Sequence, residues 1–367
     1  MAGQAADGGR GPSRTDHEGQ SAAVMAGLDQ HVGPPEGVNG EPIGRDMAVD
    51  LGSANTLIYV PGRGIVLDEP SVVCINVRTG ELLGFGDEAM RVVGLSPGHI
   101  QVLWPLRHGA TADAEMCKKM LQYFINRVHP AAFEDGHRMA ICVAPDLTNQ
   151  EKAALQEAGE LAGAVSRSYL IETPIAAAIG AGIPVRHPVG NLVVDIGRSA
   201  TRVAVISLGG IVSSHSVPIA GDEMDHAIQS YLKNAHGVLI GERTAEEVKI
   251  KLGSAGLLEA ELHAEVRGRD ALSGLPMTVV TSTGEIREAV SGQVGAIVGA
   301  VKVTLDKTPP ELAVDIMEQG IRLTGGGALL NGLDVRLSNE TGMPTVVAED
   351  PLHSVVLGGA RFLGELE

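Results

Sequence analysis

The sequence predicts an α/β protein that uses one kind of domain twice, and three observations predict it. Apolar, β-type runs ("TLIYV", "SVVCINV", "RMAICVA", "NLVVDIG", "RVAVISL", "GIRLTGG", "PTVVAED") alternate with amphipathic helical stretches, the order expected of largely parallel sheets with covered faces. Glycine supplies 48 of the 367 residues, which suits many tight strand–helix turns. Finally, "MAVDLGSANTLIYV" (47–60) aligns without a gap on "LVVDIGRSATRVAV" (192–205). Asp50 thereby pairs with Asp195, Gly52 with Gly197 and Thr56 with Thr201. The 145 residues between the two aspartates are too many for a solenoid unit and right for a duplicated domain.

Residues 1–44 stand apart. They are rich in Gly, Pro, Ser and acids and contain no aromatic residue, so they bury too little apolar surface to offset the entropy of ordering, and a disordered tail is expected. Order is expected from "DMAVDLG" onward. In "ADAEMCKKMLQYFINRV", Met116, Met120, Phe124 and Val128 fall at four-residue steps with Leu121 and Ile125 beside them, which predicts a helix with one buried face. "TNQEKAALQEAGELAG" opens on a polar cap, and "TAEEVKIKLGSA" and "ALLNGLDVRLSNETG" read as further amphipathic helices.

Composition removes several functions. Apolar residues make up 44% but aromatics only 2%, so the core is built from Val, Leu, Ile and Ala. A net charge of −17 without a Lys/Arg cluster excludes an extended grip on nucleic acid. Cys74, Cys117 and Cys142 are scattered, which suits a reducing cytoplasm, and the histidines form no zinc-type spacing. No run reaches the ~18 apolar residues of a membrane span, and a secretory signal pattern is absent.

The repeated turn carries the chemistry. A hairpin tip rich in Gly, Ser and Thr offers successive backbone N–H groups to phosphate oxygens, and an aspartate at the strand end is a hard oxygen ligand suited to Mg²⁺. One D-x-G turn also serves as an ordinary hairpin; two, heading two domains, predict a clamp on a polyphosphate. A third element, "IRLTGGGALLNGL" (321–333), reads as strand, triple-glycine turn and helix. It is neither a P-loop nor a dinucleotide fingerprint. Bare backbone at a helix N-terminus predicts ligand contact, and tight helix–strand packing explains the glycines equally well.

This order of hairpin, second hairpin and "TGGG" turn resembles the superfamily of actin, heat-shock chaperones and sugar kinases. The words "DLGSANTLIYVPGRGIVLDEPSVV", "IAGDEMDHAI", "GERTAEEVKIKLGSA", "KTPPELAVDI", "LTGGGALLNGLD" and "VVAEDPL" are similar to the MreB-type and Mbl-type bacterial actins of cell-shape control. The resemblance, from about residue 46 to the C-terminus, implies an actin-like ATPase fold, with duplicated ribonuclease H-like domains flanking a nucleotide cleft. It implies domain I at 45–165, completed by 345–367, and domain II at 166–344. It implies ATP and Mg²⁺ as ligands, with Gly52, Ser53, Ala54 and Asn55 on the phosphates and Asp50 and Asp195 near the metal. Gly197, Arg198, Ser199 and Ala200 form the second turn, Glu246, Glu247, Val248 and Lys249 approach the adenosine, and Gly325, Gly326, Gly327, Ala328 and Leu329 line the same cleft.

For hydrolysis the resemblance implies Glu151 as the residue that orients the attacking water. Thr148-x-x-Glu151 is also a capping box, which occupies the same carboxylate. The family's second turn usually reads "DIGGGTT"; here it is "DIGRSAT". A glycine lost from a φ > 0 position costs on the order of 1 kcal/mol, so slow hydrolysis is expected. Arg198 has a second reading, as a donor to a terminal phosphate, and a third, as a solvent-facing side chain. The family's filaments lie on the inner membrane. Here the loop "HPAAFEDGHRM" sets Phe133 beside Glu134 and Asp135, which weakens attraction to anionic lipid, so membrane association is expected to be peripheral. The leading expectation is a filament-forming homopolymer that positions cell-wall synthesis, in contact with a sister MreB-type protein and membrane-bound cell-wall proteins. The alternatives are a non-hydrolysing, nucleotide-gated scaffold, and an enzyme or chaperone sharing the clamp.

Overall fold

In the computed structural model each half of the repeat is an antiparallel hairpin, Met47–Leu51 with Asn55–Val60 and Asn191–Ile196 with Thr201–Ser207. Their registers are the same. Asp50 faces Leu57 and Leu51 faces Thr56 in the first; Asp195 faces Arg202 and Ile196 faces Thr201 in the second. Turn length sets which residues pair, so a gapless alignment carries the register with it. The structure describes residues 46–93, 98–107, 110–111, 114–128, 137–162 and 165–366. The tail at 1–44 and the loop bearing Phe133 lie outside the described residues.

Two five-stranded sheets share one strand order. The first runs Val165–Glu172, His137–Val143, Met47–Leu51, Asn55–Val60, Gly64–Pro70. The second runs Thr345–Val347, Ile321–Thr324, Asn191–Ile196, Thr201–Ser207, Gly210–Val217. In each, the hairpin and its successor pair antiparallel and the other two strands add parallel. The sheets are therefore mixed, not largely parallel, because short turns reverse the chain and only long crossovers return it parallel. Two of the expected domain limits also fall elsewhere. Residues 165–172 pair in the first sheet and residues 345–347 in the second, and such long-range pairing leaves no mark in local spacing.

Each sheet has its own aliphatic core. The helix Ala114–Val128 lays Met120, Leu121, Phe124 and Ile125 against Met47, Val49 and Ile58 of the first sheet, all buried. Against the second, the helices Gly221–His236 and Thr283–Asp306 set Met224, Ile228, Ile286 and Val290 on Val194, Ile196 and Val203. The longer helix begins at a capping box made by Ser282 and Glu285.

A third cluster joins the two sheets. Cys142 and Ile171 of the first and Val193, Ala204 and Ile206 of the second meet over the helix Thr173–Gly180 and Val355 of the helix Ser354–Gly364. These two helices cross so closely that a Cβ at Gly358 would run into the Ala176 carbonyl oxygen. Only glycine permits that approach. The contact holds the sheets so that their hairpin tips converge on one opening.

Candidate functional site

Both hairpin tips, the triple-glycine turn and the helix Glu242–Leu252 border a cleft of ≈ 700 Å³. Asp50, Gly52, Ser53, Ala54 and Asn55 line it from the first hairpin, and Asp195, Gly197 and Arg198 from the second. Glu246 and Lys249 contribute from the helix, and Gly325, Gly326, Gly327 and Leu329 from the third element. The hairpins also touch each other: the Ser199 and Ser53 hydroxyls lie 2.8 Å apart across 146 positions of sequence.

Six expected residues sit elsewhere. Ser199 and Ala200 are buried below the second tip, and Val248 and Ala328 are buried in the second core. Residues three or four apart on a helix share a face, so Glu246 and Lys249 both border the opening while Val248 is buried on another side. Glu247 is exposed and pairs with Arg243 at 3.2 Å. Glu151 is absent from the cleft lining although Leu147 and Leu155 on either side belong to it. Its carboxylate accepts from the Thr148 N–H at 2.8 Å and hydroxyl at 2.7 Å, and its own N–H donates to the Thr148 hydroxyl at 3.3 Å. The capping box is formed.

The third element differs from its expected shape. After the strand Ile321–Thr324, residues Gly326–Leu329 make one 3₁₀ turn and the α-helix starts only at Leu333. The triple glycine is thus not an α-helix N-terminus. Gly325 has φ +77°, and a Cβ there would lie 2.9 Å from Asp195 Oδ1. Left-handed conformation and close packing on the second aspartate both demand glycine at that position.

The "RSA" turn is unstrained. Among the described residues Leu208 is the only non-glycine with positive φ, so the expected left-handed penalty is absent. Gly197 N–H donates to the Ala200 carbonyl at 3.1 Å and closes the turn. Arg198 borders the opening, but its side chain is tethered. Its Nε donates to Asp222 Oδ1 at 2.7 Å and its guanidinium sits 5.3 Å from the Trp104 ring centroid. That combines a charge-assisted bond with a cation–π contact.

Electrostatics mark the carboxylates. Burial, then repulsion from Asp195, lifts Asp50 to about 7 against a pull from Arg202. Burial also raises Asp195, opposed by Arg202 and the Thr324 hydroxyl. On the helix side of the cleft Lys249 Nζ donates to Asp225 Oδ2 at 2.9 Å and to the Gly221 carbonyl at 3.2 Å. Burial nevertheless raises Asp225 to about 6, so desolvation outweighs the lysine.

Motif reasoning missed Arg202. It forms part of the cleft wall, and its Nη1 lies 3.9 Å from Asp195 Oδ2. The signal was present: the repeat sets Arg202 where the first copy has Leu57, on a strand otherwise apolar apart from its ends.

The residues fit a nucleotide. The volume lies in the usual range for ligand clefts, and the glycine-bearing hairpin tips and turn line it together with the apolar Ile250, Leu330 and Leu352. They also fit a divalent cation bound together with phosphate. Two carboxylates repel each other there, and no group of three or more His, Cys, Asp or Glu exists among the described residues to hold a metal without the ligand.

Two like sheets flanking such a cleft define the actin-like ATPase fold, and solved structures agree. The crystal structure of MreB5 of Spiroplasma citri bound to ADP superposes with a TM-score of 0.82 at 34% identity, over 88% of this chain and 96% of that one. The AMPPNP-bound form gives 0.82 and 35% over the same shares. A MamK double helical filament shares the fold alone, with a TM-score of 0.73 at 19% identity over 88% of this chain and 100% of that one. A family model described as MreB/Mbl protein matches residues 44–367. The cell shape-determining protein MreB of Escherichia coli is 48% identical over 87% of this chain and 93% of its own length. Mbl of Bacillus subtilis is 45% identical over 88% and 97%. The chain belongs to the MreB/Mbl family of bacterial actin homologues. Among the described residues no helix is long and apolar enough to cross a membrane.

Proposed function

We propose that this chain binds ATP with Mg²⁺ in the cleft and assembles with copies of itself into filaments that organise cell-wall synthesis and cell shape. The observation that carries the reading is the convergence of Asp50 and Asp195, from two hairpins of one register, on a single opening. The backbones of Gly52–Asn55 and Gly197–Arg198 cradle the phosphates, and Gly325–Gly327 with Leu329 close the opposite side. Glu246 and Lys249 border the adenosine. Asp50 and Asp195 hold Mg²⁺, which neutralises phosphate charge and polarises the terminal phosphoryl oxygens. The MreB5 structures, bound to ADP and to AMPPNP, support nucleotide binding by a chain of this fold.

Hydrolysis is slow. Glu151 spends its carboxylate on Thr148 and must leave the cap before it can orient a water, and Arg198 is held by Asp222. The same observations favour a second reading, a nucleotide-gated scaffold that does not turn over. In either case the filament works in the cytoplasm against the inner face of the membrane, peripherally, with a sister MreB-type protein and membrane-bound cell-wall proteins as partners.

Electron microscopy of the purified protein with ATP, ADP and no nucleotide, with phosphate release on the same samples, tests this. Filaments that need ATP and release phosphate slowly are expected. Filaments indifferent to nucleotide would leave only the scaffold, and a cleft that takes up no millimolar ATP by calorimetry would end both readings.

A further inference from the structure

The two hairpins present the same backbone to the cleft but not the same charge. Across from Asp50 stands Leu57; across from Asp195 stands Arg202. A nucleotide's phosphates approaching Asp50 and Asp195 would meet two carboxylates of like sign, an arrangement that demands a divalent cation. Arg202 changes that balance. Its guanidinium is 3.9 Å from Asp195 Oδ2 and its side chain is only 11% exposed, and it also draws on Asp50. Its Nε is buried without a hydrogen-bond partner. A buried guanidinium N–H without an acceptor is costly, and in the wall of a nucleotide-sized cleft a phosphate oxygen would relieve it.

We propose that Arg202 is a built-in counter-charge to the Asp50–Asp195 pair and a donor to phosphate, so that a nucleoside di- or triphosphate enters this cleft with or without a divalent cation. The proposal rests on the nucleotide reading above. It makes Arg202 a positioning and binding residue that shares the work of Mg²⁺ without excluding it. Arginine suits this because its charge is permanent and its donors are fixed in a plane.

The test is calorimetric titration of ADP and AMPPNP into the full chain, in excess EDTA and in millimolar Mg²⁺. In the wild type the two dissociation constants differ by less than about fivefold, the lower limit of ordinary coupling between ligands. Arg202→Leu, which copies the first hairpin, weakens binding in EDTA by about tenfold or more and makes it depend on Mg²⁺. Arg202→Lys restores most of the EDTA affinity. A wild type that binds only with Mg²⁺ overturns this inference alone, and one that binds in neither buffer overturns the nucleotide reading with it. The wild-type comparison decides the matter even if Arg202→Leu fails to fold.

Discussion

Lys249→Met tests how the helix side of the cleft is held together. Lys249 and Asp225 pair at 2.9 Å with side chains only 16% and 11% exposed, and Asp225 Oδ1 is buried without a partner. Removing the lysine strands a buried carboxylate, which costs about 3–5 kcal/mol. Adding Asp225→Asn removes the stranded charge and recovers about 2 kcal/mol or more. A pH dependence accompanies this. Asp225 titrates at about 6 in the folded chain against an ordinary 3.8, so between those values the folded state binds more protons than the unfolded. Stability therefore falls as pH rises through that window, by about 3 kcal/mol at most, and Asp225→Asn abolishes this component. Lys249→Met extends the decline above pH 6, because the charge that opposed desolvation is gone. Urea denaturation followed by circular dichroism, without nucleotide and below assembling concentrations, reads all three. A loss under about 1 kcal/mol for Lys249→Met, or strictly additive variants, would refute the view that this pair is buried and coupled.

Phe124→Ala empties a fully buried position under the first sheet and lowers stability by about 3–5 kcal/mol in the same assay. Trp104 is the only tryptophan in the chain and is stacked by Arg198; its emission changes on addition of ADP or AMPPNP, and Arg198→Ala alters the starting spectrum. Thr148→Ala removes the cap that occupies Glu151. It costs about 1 kcal/mol of stability while phosphate release rises; unchanged release would argue that the cap does not restrain Glu151. Replacing Arg198, Ser199 and Ala200 by Gly, Gly and Thr raises phosphate release if the Asp222 and Ser53 tethers limit it, and leaves it unchanged if Glu151 alone does.

Where sequence reading succeeded, the information was local. A gapless repeat carries hairpin register with it, so Asp50 and Asp195 were legible as matched tips, and a four-residue stripe identified Met120 and Phe124 as buried. The capping box at Thr148 was legible for the same reason. Arg202 lies outside the turn motif, on the strand that follows, where its only mark in the sequence is a charge at the position the first copy fills with Leu57.

What tertiary structure alone decided were meetings between distant segments and the faces they select. Ser53 touches Ser199, Arg198 lies over Trp104, and Lys249 reaches Asp225. Val248 and Ala328 turn inward although each sits in a motif whose neighbours line the cleft. The sequence by itself determined the strands, the paired aspartates and the family. Only packing settled which side chains look into the opening, since a motif's outward face exists only relative to the partner that covers its other side.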